Sequence, residues 1–156
     1  MAIIIDHIDE EWEKEKQEWK RKIQEVTIPE DVQQGAIHHL QHMLDKYYAE
    51  GSWYLTYYES QYKNLEEMID AVRKRYGSEG SNDKEREANA YNKLMNYPYN
   101  EKGDTVNLIV SLSQLREKYY FYKNYVIKNL SKKDSRLMTN VGAGKIEAAI
   151  SGRPGA

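Results

Sequence analysis

The sequence predicts an all-α protein built around a long antiparallel, coiled-coil-like helical hairpin, with an additional N-terminal amphipathic helix and a short connecting helix. Two stretches carry heptad-like apolar seams, at residues 40–76 and 108–126, and a corner rich in glycine, serine and asparagine lies directly after the first. Helix-favouring residues are plentiful, while proline and glycine number only three and nine in 156 residues, which disfavours a turn-rich β fold.

The first element reads as an amphipathic helix from about residue 5 to 26. Ile5, Ile8, Trp12, Trp19 and Ile23 form one apolar stripe on an otherwise charged segment. Thr27-Ile28-Pro29-Glu30-Asp31 breaks that helix, and Pro29 suits the first turn of the next. The seam of this second helix runs through Leu40, Leu44, Tyr47, Gly51 and Leu55, then Tyr58, Tyr62, Leu65, Ile69, Val72 and Tyr76. Its steps alternate three and four from Leu55 onward, with one additional four-residue step around Gly51, as in a stutter. The glycine is expected to bend or thin the helix there.

Gly77 to Asp83 is the clearest loop, and Ser81, Asn82 or Asp83 can cap the third helix. That short helix buries Ala88, Tyr91, Leu94 and Met95 and ends before an irregular Tyr97–Gly103 segment. Asp104 is the expected cap of a fourth helix, whose seam is Leu108, Leu112, Leu115, Tyr119, Tyr122 and Val126. Each seam can be buried only against another helix, so residues 53–76 are expected to pack antiparallel on 105–129. A last short basic segment, interrupted by Gly142 and Gly144, completes a single domain of residues 1–150, and residues 151–156 read as a disordered tail.

Composition narrows the function. With no cysteine, neither a disulfide framework nor a thiolate metal site is available, and a reducing, cytoplasmic setting is the simplest. The longest apolar run, Ala2 to Ile5, is too short for a membrane anchor. Charge is graded: residues 1–31 hold ten acids and five bases, whereas residues 116–156 hold nine bases and three acids. The two ends are therefore suited to attract each other or different partners.

No catalytic constellation, cofactor site or metal site is expected. Gly142-Ala-Gly-Lys145 resembles a phosphate loop, but Thr139 stands where its first glycine is required and Ile146 where a magnesium-binding hydroxyl belongs. His38 and His42 lie one helical turn apart, beside His39, without a further evident ligand set, and read as a surface group. Fourteen tyrosines against one phenylalanine is a more informative skew. Tyr48, Tyr54 and Tyr57 lie off the seam of the second helix, and Tyr120, Phe121 and Tyr125 lie off that of the fourth helix, interleaved with Lys118, Lys123 and Lys128. Rings beside ammonium groups are what sequence-tolerant single-strand binders use, though the same rings could pack against neighbouring helices. Two further basic groups stand out: Arg73-Lys74-Arg75 beside Tyr76, and the run to Lys132, Lys133 and Arg136. Trp12 and Trp19, with Ile8 and Ile23, are the expected subunit or partner interface.

The stretches Leu65 to Leu94 and Leu115 to Gly144 resemble the UvsY family of phage recombination mediators: a helix ending in basic residues and Tyr-Gly, a short Glu/Arg/Ala-rich helix, a heptad helix and a basic final segment before Gly-Ala-Gly. The resemblance implies a cytoplasmic homo-oligomer, in the host cytoplasm if phage-encoded, that binds single-stranded DNA without sequence preference. It also implies that the protein helps load a RecA-like recombinase onto strands covered by single-strand-binding protein. The implied DNA contacts are Arg73, Lys74, Arg75 and Tyr76, with Lys132, Lys133 and Arg136. Two other classes stay open: a helical adaptor or inhibitor docking through its acidic N-terminal face, and a structural assembly component.

Overall fold

The computed structural model describes residues 10–30 and 34–150, with side chains through residue 139. As expected, the chain is all-α. Its elements are α1 (Glu10–Glu25), α2 (Gln34–Tyr76), α3 (Asp83–Met95), β1 (Tyr97–Pro98), β2 (Thr105–Val106), α4 (Leu108–Phe121), a π-helical segment (Tyr122–Ile127) and α5 (Lys128–Ile150). Among the described residues no helix is long and apolar enough to cross a membrane. The described residues form two compact units, one of residues 55–120 and one of residues 10–54 with 121–150, and α2 contributes to both.

In the unit of residues 55–120, Tyr58, Leu65, Ile69 and Val72 of α2 are buried with Leu108 and Leu115 of α4. The helices run antiparallel: Tyr62 stacks on Tyr119 at 5.9 Å, Arg116 donates to the Tyr62 hydroxyl at 3.2 Å, and Lys118 lies 5.8 Å over the Tyr58 ring. Of the three candidate caps, Asn82 begins α3: its Oδ1 accepts from the Glu85 amide at 2.9 Å, while the Glu85 carboxylate accepts from the Ser81 amide. That hydrogen bonding to Ser81 holds the Glu85 carboxyl below its ordinary value.

Several local expectations are corrected here. α3 buries Ala90 and Leu94, while Ala88, Tyr91 and Met95 are exposed, so its apolar face is rotated from the expected one. Tyr97–Gly103 is no simple loop, because β1 pairs antiparallel with β2, Tyr97 opposite Val106, and Gly103 supplies the positive φ of the turn. Asp104 serves that turn, accepting from the Asn100 side chain at 2.7 Å. Asn107 caps α4 instead, its Oδ1 accepting from the amides of Ile109 and Val110 at 3.0 and 3.2 Å.

In the other unit α1, α2 and the π–α5 segment form a three-helix arrangement. Trp19 meets Tyr47, Tyr54 and Tyr122 edge-on at 6.4, 6.4 and 5.9 Å, and Tyr54 stacks on Tyr122 at 5.3 Å. Trp12 packs edge-on against Phe121 at 5.3 Å. Rings of this size each bury roughly 150–250 Å² and prefer such offset or edge-to-face contacts. Gly51 makes the close approach possible: a Cβ there would lie 2.9 Å from Val126 Cγ1 and 3.3 Å from Ile127 Cδ1. The glycine thus thins α2 opposite the π segment.

Beyond Val126, Leu130 and Leu137 continue the buried stripe. α5 runs unbroken through Gly142 and Gly144 to Ile150. Val26 and Ile28 are buried outside any helix, Pro29 and Glu30 are not helical, and the described part of α2 starts at Gln34. The expected helical start at residues 5–9 and the tail at 151–156 lie outside the described residues.

Overpacking this crossing carries a measurable cost. Gly51→Val is expected to lower stability by about 2–3 kcal/mol in urea unfolding. Gly35→Ala, where an added Cβ meets nothing within 4 Å, is expected not to destabilise.

Candidate nucleic-acid interface

Four of the expected contact residues form one exposed line. Lys123, Lys128, Lys132 and Arg136 succeed one another at intervals of five, four and four residues, and all are exposed. The five-residue interval falls across the π segment, whose i→i+5 pattern makes it one turn, whereas in an α-helix it would turn Lys123 away from the others. Asp134 is the one acid between residues 121 and 139, and its Oδ1 accepts from Gln41 Nε2 at 3.2 Å. Beside the line, Tyr125 stacks on Phe121 at 5.2 Å. Tyr48 is 46% exposed on the α2 side of a cleft of about 300 Å³ that Ser131 and Ser135 line from α5.

Lys133 departs from the expected role. Its ammonium donates to the Val26 carbonyl beyond the end of α1, supplying a partner for the carbonyl of a buried residue outside any helix. Partial burial and the neighbouring Arg136 lower its pKa from the ordinary lysine value. It fastens α5 to the α1 terminus and is not presented outward. Lys118 is likewise withdrawn, being 7% exposed and lying over Tyr58.

Arg73, Lys74 and Arg75 are exposed at the C-terminus of α2, where positive charge also complements the helix dipole. Tyr76 is half-buried, with Lys93 Nζ 5.0 Å and the Arg75 guanidinium 5.3 Å from its ring, so it serves cation–π contacts within the protein. A cleft of about 490 Å³ at this corner mixes Arg73 and Arg86 with Asp83 and Glu87 over Ala90 and Leu94, which dilutes the positive field. The triplet and the α5 line belong to different compact units.

The expected tryptophan interface is overturned. Trp12, Trp19 and Ile23 are 6%, 2% and 4% exposed because they form the core between α1, α2 and the π segment; Ile8 lies outside the described residues. The exposed tryptophan is Trp53, at 62%. Its position was available in the sequence, since a seam through Gly51, Leu55 and Tyr58 leaves residue 53 facing outward.

No family model, curated protein or solved structure matches the chain.

The two adjacent lysines should separate in their effects. Lys133→Ala is expected to cost about 1 kcal/mol of stability through the lost hydrogen bond, and Lys132→Ala close to none. Folding disfavours the charged form of Lys133, so the unfolded chain holds that proton more tightly. Wild-type stability therefore gains a contribution as pH rises just below the ordinary lysine range, and unfolding curves of Lys133→Ala should lack it.

Proposed function

We propose that this chain is a non-enzymatic, single-stranded DNA-binding protein that acts as a phage-type recombination mediator. The observation carrying the proposal is the exposed line Lys123, Lys128, Lys132 and Arg136, with one intervening acid that Gln41 engages. Such a line meets consecutive phosphates, and adjacent tyrosine rings offer sequence-tolerant stacking. Arg73, Lys74 and Arg75 add a second, weaker contact region. The mediator role, the RecA-like recombinase and single-strand-binding protein as partners, homo-oligomerisation and a cytoplasmic setting rest on the resemblance to the UvsY family. Oligomerisation would multiply individually weak contacts into avidity.

The adaptor alternative draws less support. Within α1 six acids face five bases and Arg21 pairs with both Glu18 and Glu25, so the acidic excess of residues 1–31 rests on the four acids outside this helix, Asp6, Asp9, Glu30 and Asp31.

Fluorescence anisotropy with a labelled single strand of about 40 nucleotides tests the proposal across a salt series. Wild type should bind with marked salt sensitivity. The Lys128→Ala/Lys132→Ala/Arg136→Ala variant should bind more weakly, with the log–log salt slope flattened by about 2, and Arg73→Ala/Lys74→Ala/Arg75→Ala should show a smaller loss. Absence of salt-sensitive binding by wild type at low salt would overturn the proposal.

A further inference from the structure

The cleft between α2 and α5 lies wholly within the unit of residues 10–54 and 121–150. Its floor is apolar, formed by Leu44 and Leu130, and the exposed Tyr48 lines its α2 wall. Its rim is rich in acceptors. Gln41 donates from Nε2 to Oδ1 of Asp45 at 3.0 Å and to Oδ1 of Asp134 at 3.2 Å, which spends both amide protons on the two carboxylates. Among the described residues nothing else engages either carboxylate, so their remaining oxygens are left as acceptors for a guest. We infer that this cleft is a base-recognition subsite for single-stranded DNA, selective for guanine; the inference rests on the binding function proposed above.

Size, charge and hydrogen bonding select this occupant together. At about 300 Å³ the cleft is at the small end of ligand pockets, with room for one flat ring system and none for a helix. Lys128 lies one turn before Ser131 on α5, and Lys132 one turn before Ser135, so two exposed lysines border the serine side of the cleft. They attract an anionic guest, whereas the carboxylates within require hydrogen-bond donors. A nucleotide meets both demands, being anionic along its backbone and donor-bearing at its base edge, with an aromatic face for Tyr48. An arginine side chain would satisfy the carboxylates but meet Lys128 and Lys132 as like charges. Among the bases, guanine carries a ring N–H and an amino group side by side on its pairing edge, a two-bond match to one carboxylate. Adenine and cytosine set an amino group beside a ring acceptor, and thymine one N–H between two carbonyls, so each turns an acceptor toward the carboxylates.

The test is anisotropy with three labelled strands of equal length in lithium buffer, which keeps guanines unassociated: alternating guanine and thymine, alternating inosine and thymine, and thymine alone. Inosine lacks only the amino group of guanine. Wild type should bind the guanine strand at least about fivefold more tightly than either of the others. The Asp45→Asn/Asp134→Asn variant, which keeps an oxygen for Gln41 at each position, should bind the guanine and inosine strands equally. Tyr48→Ala should weaken binding of all three strands about fivefold or more, and Tyr48→Phe much less, because stacking is tolerant of base identity. Equal binding of the three strands by wild type, or a guanine preference that persists in the double asparagine variant, would overturn the subsite and leave the α5 line standing. No binding of any strand at low salt would overturn both.

Discussion

The approach of Gly51 to Val126 sets the register of the unit formed by residues 10–54 and 121–150. Two antiparallel helices share a seam only if a break in heptad phase on one is matched on the other. On α2 the additional four-residue step falls at Gly51; on the facing helix Tyr122, Val126 and Leu130 take two four-residue steps in succession. The π segment absorbs that second step, and the missing side chain at residue 51 makes room for Val126 and Ile127. Every other placement in this unit depends on that match. Trp19 closes over the crossing, with its Cη2 3.6 Å from where a Gly51 Cβ would lie, and Trp12 covers Phe121.

With apolar groups and rings directed inward, the charged side chains on the outside acquire an order. Along the π segment and α5 the cations fall on one face because the five-residue interval occurs where the helix is widened. Lys133, one residue from Lys132, turns to the Val26 carbonyl and helps fix the chain between α1 and α2. The exposed line is thus a consequence of core registration, and the neighbouring Lys132 and Lys133 are turned outward or inward according to their phase on the helix.

Long-range periodicity was the most legible part of the fold. All eleven seam positions expected on α2 are buried or half-buried, including Gly51, because a three-four pattern admits one solution as a helix. Short elements were less legible. Asn107 and Asp104 are both competent caps, and the choice depended on the β pair that engages Asp104. Tyr97-Pro98 has no strand periodicity to read at two residues' length. At the candidate site, lysine spacing was visible but orientation was not, since the only mark of the phase shift is one additional four-residue step after Val126, which does not by itself identify a π segment. The tryptophans were misassigned for a related reason: an amphipathic stripe shows that Trp12 and Trp19 need cover, and says nothing of whether α2 or another molecule supplies it.

Residue-resolved lysine footprinting, in which acetylation is compared with and without a bound single strand, tests the central claim most directly. The account predicts selective protection of Lys123, Lys128 and Lys132, while Lys14 on α1 and Lys63 on α2 keep their reactivity. Uniform protection, or protection centred on α1 with Lys128 and Lys132 unchanged, would contradict it.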